Sequence, residues 1–176
     1  MLKSLSKRYT IVSLLLLTLS IVLFFPFRTA LVFYKQNTNH IEAYLPMQEG
    51  NSFQIIFTHS IHLTDVVEVY DILSDGSIRQ TEIVFEEYGI GMPSDALEGE
   101  NLVIKDGKKH IKNMNRVFPY INLRNGKVVP RHRLIWGGHN EYMVWFKDYF
   151  EPGARLTIKM DKLSLWQLLK GVKIHE

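Results

Sequence analysis

The chain has 176 residues, 22% of them charged and 12% aromatic, enough for one buried core beside an accessory segment. It has no cysteine, which excludes disulfides and thiolate metal sites, so packing must hold the fold unaided. The formal charge of +3 is no sign of nucleic-acid binding: Lys3, Lys7, Arg8 and Arg28 lie in the first 34 residues, and beyond them 17 basic side chains face 18 acidic ones.

From Tyr9 to Phe27 the chain runs without a charge, as YTIVSLLLLTLSIVLFFPF. Wound as a helix, this stretch is ~28 Å long, close to the hydrocarbon thickness of a bilayer. Lys3, Lys7 and Arg8 precede it and Arg28 alone follows closely, so the basic excess predicts a cytoplasmic N-terminus and an outer remainder. A cleaved signal peptide would end in a small-x-small site, whereas this run ends in Phe24, Phe25, Pro26 and Phe27. The expected organisation is a signal anchor over residues 1–34, with the span at about 9–27. A polar spacer over 35–50, with room for one edge strand, and a β domain over 51–176 follow.

In the β domain, SDGS at 74–77, KDGK at 105–108 and RNGK at 124–127 centre on Asp-Gly or Asn-Gly, the pairs that two-residue hairpin turns favour. Between them lie alternating β-forming segments such as FQIIFTHSI, VVEVYDIL and RLTIKM. About eight strands without a long helical pattern predict an antiparallel β-sandwich or barrel. Pro119 and Pro130 belong at edges or bulges. Only DKLSLWQLLKG is helical in pattern: Asp161 is the expected cap, Gly171 the stop, and Leu165, Leu168 and Leu169 share a face that covers an open end of the sheet.

The stretch THSIHLTDVVEVY, residues 58–70, spaces His59, His62, Asp65 and Glu68 three apart. Its β-branched valines argue for strand, and there successive side chains alternate faces, so the four are not one ligand stripe. A turn centred on Leu63-Thr64 pairs positions summing to 127, which sets His62 opposite Asp65 and His59 opposite Glu68. His59 shares its face with Phe53, Ile55, Phe57 and Ile61 and points inward. The pair reads either as a polar contact fixing strand register or as a small-ligand, metal or catalytic site. Ser60 adjoins His59 but faces the other way, a poor nucleophile–base geometry. Zinc would require His110, His132 or His139 to join from other strands.

Two glycine bends complete the candidates. In YGIGMPSD, Gly89, Gly91 and Pro93 form a tight turn, or a close backbone approach to a ligand beside His59. WGGHNEY at 136–142 is a second glycine turn. Neither is a phosphate loop, and no Gly-x-Ser-x-Gly elbow occurs. Charge is segregated along the chain: residues 65–100 hold ten acids and one basic residue, and residues 105–133 hold nine basic residues and one acid. That pattern makes two opposed solvated faces, or a basic surface for anionic lipid, wall polymer or an acidic partner.

His59-Ser60-Ile61, Thr64, Val66, Glu68 and Tyr70, then Gly89-x-Gly91-x-Pro93, and finally EPGARLTI at 151–158, resemble the family called domain of unknown function 1850. The likeness spans roughly residues 52–160. Asp65 stands where the family commonly has proline, and His62 where it is polar or acidic. The resemblance therefore points to His59, Ser60, Glu68, Gly89, Gly91 and Pro93 as the candidate ligand-binding positions. It implies small extracytoplasmic proteins often encoded beside TAXI-type TRAP transporters.

The resulting expectation is a non-catalytic outer domain without cofactor or resident metal, anchored in the cell membrane. Its implied partners are a TRAP-type permease or solute-binding protein, and not nucleic acid. A small-ligand or metal-binding module centred on His59 and Glu68 is the alternative.

Overall fold

A computed structural model describes residues 2–89, 91–129 and 131–175. Helix α1 (Leu2–Phe24) contains a stretch, Lys7–Phe24, long and apolar enough to cross a membrane and not buried against the rest of the chain, so it is a candidate membrane span. After three intervening residues strand β1 (Arg28–Lys35) begins. The rest is mainly β: β2 (Ile41–Leu45), β3 (Ser52–Thr58), β4 (Asp65–Ile72), β5 (Ile78–Phe85), β6 (Asn101–Lys105), β7 (Lys108–Lys112), β8 (Arg116–Phe118), β9 (Ile121–Arg124), β10 (Arg133–Trp136), β11 (Tyr142–Trp145) and β12 (Arg155–Leu163). Helix α2 (Leu165–Lys170) and the short β13 (Val172–Lys173) follow.

These strands form two sheets and no closed barrel. The first has the order β13-β2-β1-β12-β9, antiparallel except where β13 joins β2. The second runs β11-β10-β3-β4-β5-β7-β6, with β8 continuing the β7 edge along β5. Leu31, Phe33, Leu156 and Ile158 of the first sheet meet Phe53, Ile55, Tyr70 and Leu134 of the second in one core. Phe33 packs edge-on against Phe146 at 5.9 Å and against Phe150 at 5.2 Å. The opposite face of β1, with Ala30, Val32 and Tyr34, packs with Ile41, Tyr44 and Leu163 beneath Leu168 of α2. So β1 is covered on both faces, which explains why ALVF has no polar alternation.

That continuity of apolar residues is also why the expected boundaries at 34 and 50 move. Residues 28–35 form a strand of the first sheet, and 41–45 form the one strand for which the 35–50 stretch has room. α2 differs from expectation in two details. Its cap is Ser164, whose hydroxyl accepts from Gln167 N at 3.3 Å while Ser164 N donates to Gln167 Oε1 at 2.9 Å. Asp161 stays in β12 and accepts a hydrogen bond from the Tyr34 hydroxyl. The helix covers the outer face of the first sheet through Leu168 and leaves Leu169 exposed.

The turns at 74–77 and 105–108 are hairpins as expected, with positive φ at Gly76, Asp106 and Gly107. Asn125-Gly126 is not one. Asn125 is buried and donates through Nδ2 to the carbonyls of Phe150 and Glu151, each at 3.1 Å, where the chain crosses from the first sheet to the second. Pro119 lies between β8 and β9, a change of sheet, while the expectation for Pro130 falls outside the described residues.

The direction of β1 gives the sandwich two unlike ends. Arg28, opposite Leu163, adjoins the end of α1, and eight residues carry the strand ~26 Å away to Lys35, opposite Leu156. Beyond Arg155 and its partner Arg124 lie the 125–131 crossing and the 151–154 turn. If β1 belongs to the domain, a fragment starting at Asn51 should be unfolded by circular dichroism, and one starting at Arg28 should unfold cooperatively in urea. Phe33→Ala in the longer fragment should cost about 3–5 kcal/mol.

Candidate functional site

The β3–β4 register pairs Thr58 with Asp65 and Ile55 with Glu68, four residues away from the register expected for a tight turn. The connection is a six-residue loop instead. His59 N donates to Thr64 O at 2.8 Å, Leu63 N donates to His59 O at 2.9 Å, and Leu63 takes a φ of 58°. His59 and Glu68 therefore do not face each other; their register positions differ by four residues, roughly 13 Å of strand. Nor do His59 and His62 point to opposite sides. Their rings stack at 4.9 Å with an interplanar angle of 24°.

His59 is only 7% exposed. Its Nδ1 accepts from the backbone N–H of Ile61 at 3.3 Å and of His62 at 3.4 Å, which leaves the neutral ring's proton on Nε2. Against the two rings lies Gly89. A Cβ there would stand 2.9 Å from both Cε1 and Nε2 of His59 and 3.1 Å from Nε2 of His62. Gly89 is thus required by close approach, whereas Gly91, at φ 87° with open space around it, is required by backbone conformation. Met92 N closes the turn onto Gly89 O at 3.0 Å, and Met92 packs with Ala96 on a small core of Val66, Ile83, Phe85 and Ile111. Pro93 is half-buried in the same loop, and Ser60 is exposed.

Glu68 points inward as expected, beside the fully buried Ile55, and takes its hydrogen bond from the Tyr70 hydroxyl at 2.9 Å. Burial pushes the Glu68 carboxyl up, and the Tyr70 hydrogen bond offsets part of that. Burial, then the charge and hydrogen bond of Glu68, push the Tyr70 hydroxyl well above the usual tyrosine range. At the outer end of the same strand Asp65 behaves oppositely. Burial would raise it, but hydrogen bonds from Arg133 and Thr58 and the charges of Arg133 and Lys108 outweigh this and hold it low.

The segregated charge runs do not make two separate faces, because the sheet interleaves them. Glu82 meets His110 Nδ1 at 2.8 Å and Lys112 at 3.8 Å, and Glu86 meets Lys108 at 3.5 Å. Arg116 holds Glu100 through two contacts of 3.0 Å, and Arg133 holds Asp65. The other histidines stay apart: His132 stacks on Phe57 at 5.6 Å, and His139 is exposed in the 136–142 turn. Among the described residues no three His, Asp or Glu side chains gather as a metal site.

A family model described as a domain of unknown function (DUF1850) matches residues 53–143. The chain belongs to that family. No curated protein and no solved structure matches it. The DUF1850 span takes in the histidine loop, the Gly89–Pro93 bend and most of the second sheet, and leaves out β1, β2 and β12. Sequence reasoning missed Arg133 and Trp145, whose guanidinium and ring lie 5.1 Å apart beside Asp65. Their only signal was the strand register of RLIW against FQII, which is not visible without the paired sheet.

Two outcomes follow from this geometry. Gly89→Ala should destabilise the protein by about 1–3 kcal/mol through overpacking, and by clearly less in a His59→Ala background, read as a double-mutant cycle in urea. Glu68 has its folded-state pKa raised, so its contribution is favourable below its unfolded pKa and is lost as pH rises through the folded value. Glu68→Gln should therefore be more stable than the parent at pH 7–8, with the advantage gone below about pH 4, by denaturation across that range.

Proposed function

We propose that the chain is a non-catalytic β domain tethered to the outer side of the cell membrane, where it assists a TRAP-type solute transport system by contacting its permease or solute-binding protein. The observation that carries the tether is continuity: the candidate span ends at Phe24, and the hydrogen-bonded sheet starts at Phe27, whose N–H donates to Leu163 O at 3.1 Å. The basic residues Lys3, Lys7 and Arg8, ahead of the uncharged run that begins at Tyr9, support a cytoplasmic N-terminus.

The surroundings of that junction suit a membrane interface. Trp166 lies tilted against Phe24 with ring centres 6.2 Å apart and is 44% exposed, Leu169 is 71% exposed, and Lys170 lies over the Trp166 ring at 4.7 Å. Aromatic and aliphatic groups edged by lysine are what an interfacial surface requires. A non-catalytic role is supported by the engagement of His59, whose Nδ1 accepts from its own turn while its ring packs on Gly89. The rival reading, one ligand or metal site built from His59 and Glu68 together, lacks a geometric basis because the two residues belong to different levels of the hairpin. The transport assignment rests on family kinship.

Protease added to intact spheroplasts should digest the β domain and spare the N-terminal tail; protection of the domain would reject the orientation. In cross-linked native membranes the tagged full chain should recover a TRAP permease or binding-protein subunit. Recovery of none sinks the transport role while leaving the tether intact.

A further inference from the structure

The cross-strand pairing leaves a remainder. Lys108, Lys112, Arg116 and Arg133 each have a carboxylate within 4 Å, and Lys109 donates to the Glu86 carbonyl. Among the described residues no carboxylate pairs with Lys127, Arg131 or Lys147. These three come from a sheet crossing and a 3₁₀ turn distant in sequence, yet they line one groove of about 530 Å³ with Val128, Trp145 and Pro152. A second groove of about 580 Å³ continues it past Arg131 and Trp145 to Arg133 and Lys108.

The groove is built. Asn125 anchors its floor through two hydrogen bonds to the 150–151 carbonyls. The stem of Lys127 lies against Gly153, where a Cβ would come within 2.7 Å of Cε. Lys147 sits 5.7 Å from the Trp145 ring centre and Arg133 5.1 Å from it, so two cations flank one indole. Like charges brought together without an acid repel one another and raise the local potential for an anion. The apolar wall of Val128, Trp145 and Pro152 selects further: it offers contact to a carbon skeleton and nothing to a bare inorganic ion. The groove also lies at the end of the sandwich remote from α1, which argues against a lipid headgroup.

We infer that this groove binds a small organic anion carrying two or more carboxylates, its skeleton against Trp145 and its charges on Lys127, Arg131 and Lys147. The inference goes beyond the transport reading and does not need it, since binding can be measured where no transporter is present.

Citrate is the probe, titrated at low ionic strength into the full chain in a neutral detergent and followed by calorimetry and tryptophan fluorescence. Saturable binding is expected, with a fluorescence change that disappears in Trp145→Phe and an affinity that falls as salt is added. Arg131→Gln combined with Lys147→Gln should weaken binding by about tenfold or more, and Lys147→Arg should retain it. Lys105→Gln, which changes charge on β6 outside the groove, should have no effect. Absence of saturable binding, binding that survives the double substitution, an equal loss in Lys105→Gln, or inorganic phosphate binding as tightly as citrate would each overturn the proposal. Unchanged thermal melts of the surface variants separate lost binding from lost fold.

Discussion

The eight-residue ladder between β1 and β12 is the constraint on which the rest of this structure depends. Its β1 strand follows the candidate span after three intervening residues and is covered on both faces, because Leu31 and Phe33 enter the inter-sheet core while Ala30 and Val32 lie under α2. Full burial of such side chains is worth about 1.5–3 kcal/mol each, so this one strand supplies a large share of the driving force for assembling the first sheet. It also fixes polarity. One end of the sandwich carries α1 and α2, and the other gathers the sheet crossing at 125–131 and the 151–154 turn, which sets where each loop can act.

At the end away from α1, two physical devices shape the surface. Steric fit holds the histidine loop: the stacked rings of His59 and His62 occupy the space a side chain at 89 would need. Electrostatic pairing disposes of most of the charge. β5 lies beside β7, so Glu82 meets His110 as a neighbour across strands, while Arg133 of β10 reaches past β3 to Asp65 of β4. Most of these pairs are partly exposed, where each contributes little to stability. Their larger consequence is subtractive: among the described residues lining the 125–131 groove, they leave Lys127, Arg131 and Lys147 without a carboxylate.

Much of the architecture was legible because it rests on local chemistry. Asp-Gly at 75–76 and at 106–107 sets two hairpins, alternating valines and isoleucines set the strands, and Gly89-x-Gly91-x-Pro93 marks a bend. Three things were hidden, each for a physical reason. β1 is buried on both faces, so its apolar run merges with the span before it. The register of β3 and β4 depends on Leu63 adopting positive φ, a conformation rare for leucine, which lengthens the turn and separates His59 from Glu68. Asn125-Gly126 has hairpin composition, but its amide is used to tie a sheet crossing to the 150–151 carbonyls. Local sequence gives no hint of that long-range partner.

The short junction limits how the domain can work. Phe25, Pro26 and Phe27 span at most ~10 Å even when extended, and Phe27 is already bonded into the sheet. With α1 in the bilayer, the domain cannot roam on a flexible leash, and Trp166 against Phe24 restricts its tilt further. The loops carrying His59, Gly89 and Trp145 are then held about one strand length beyond the α1 junction. On the proposed role, a partner would have to come to that surface, because the domain could not swing to search for it. Fixed placement of this kind would lower the entropy lost on docking to the membrane-embedded neighbour that the proposed role requires.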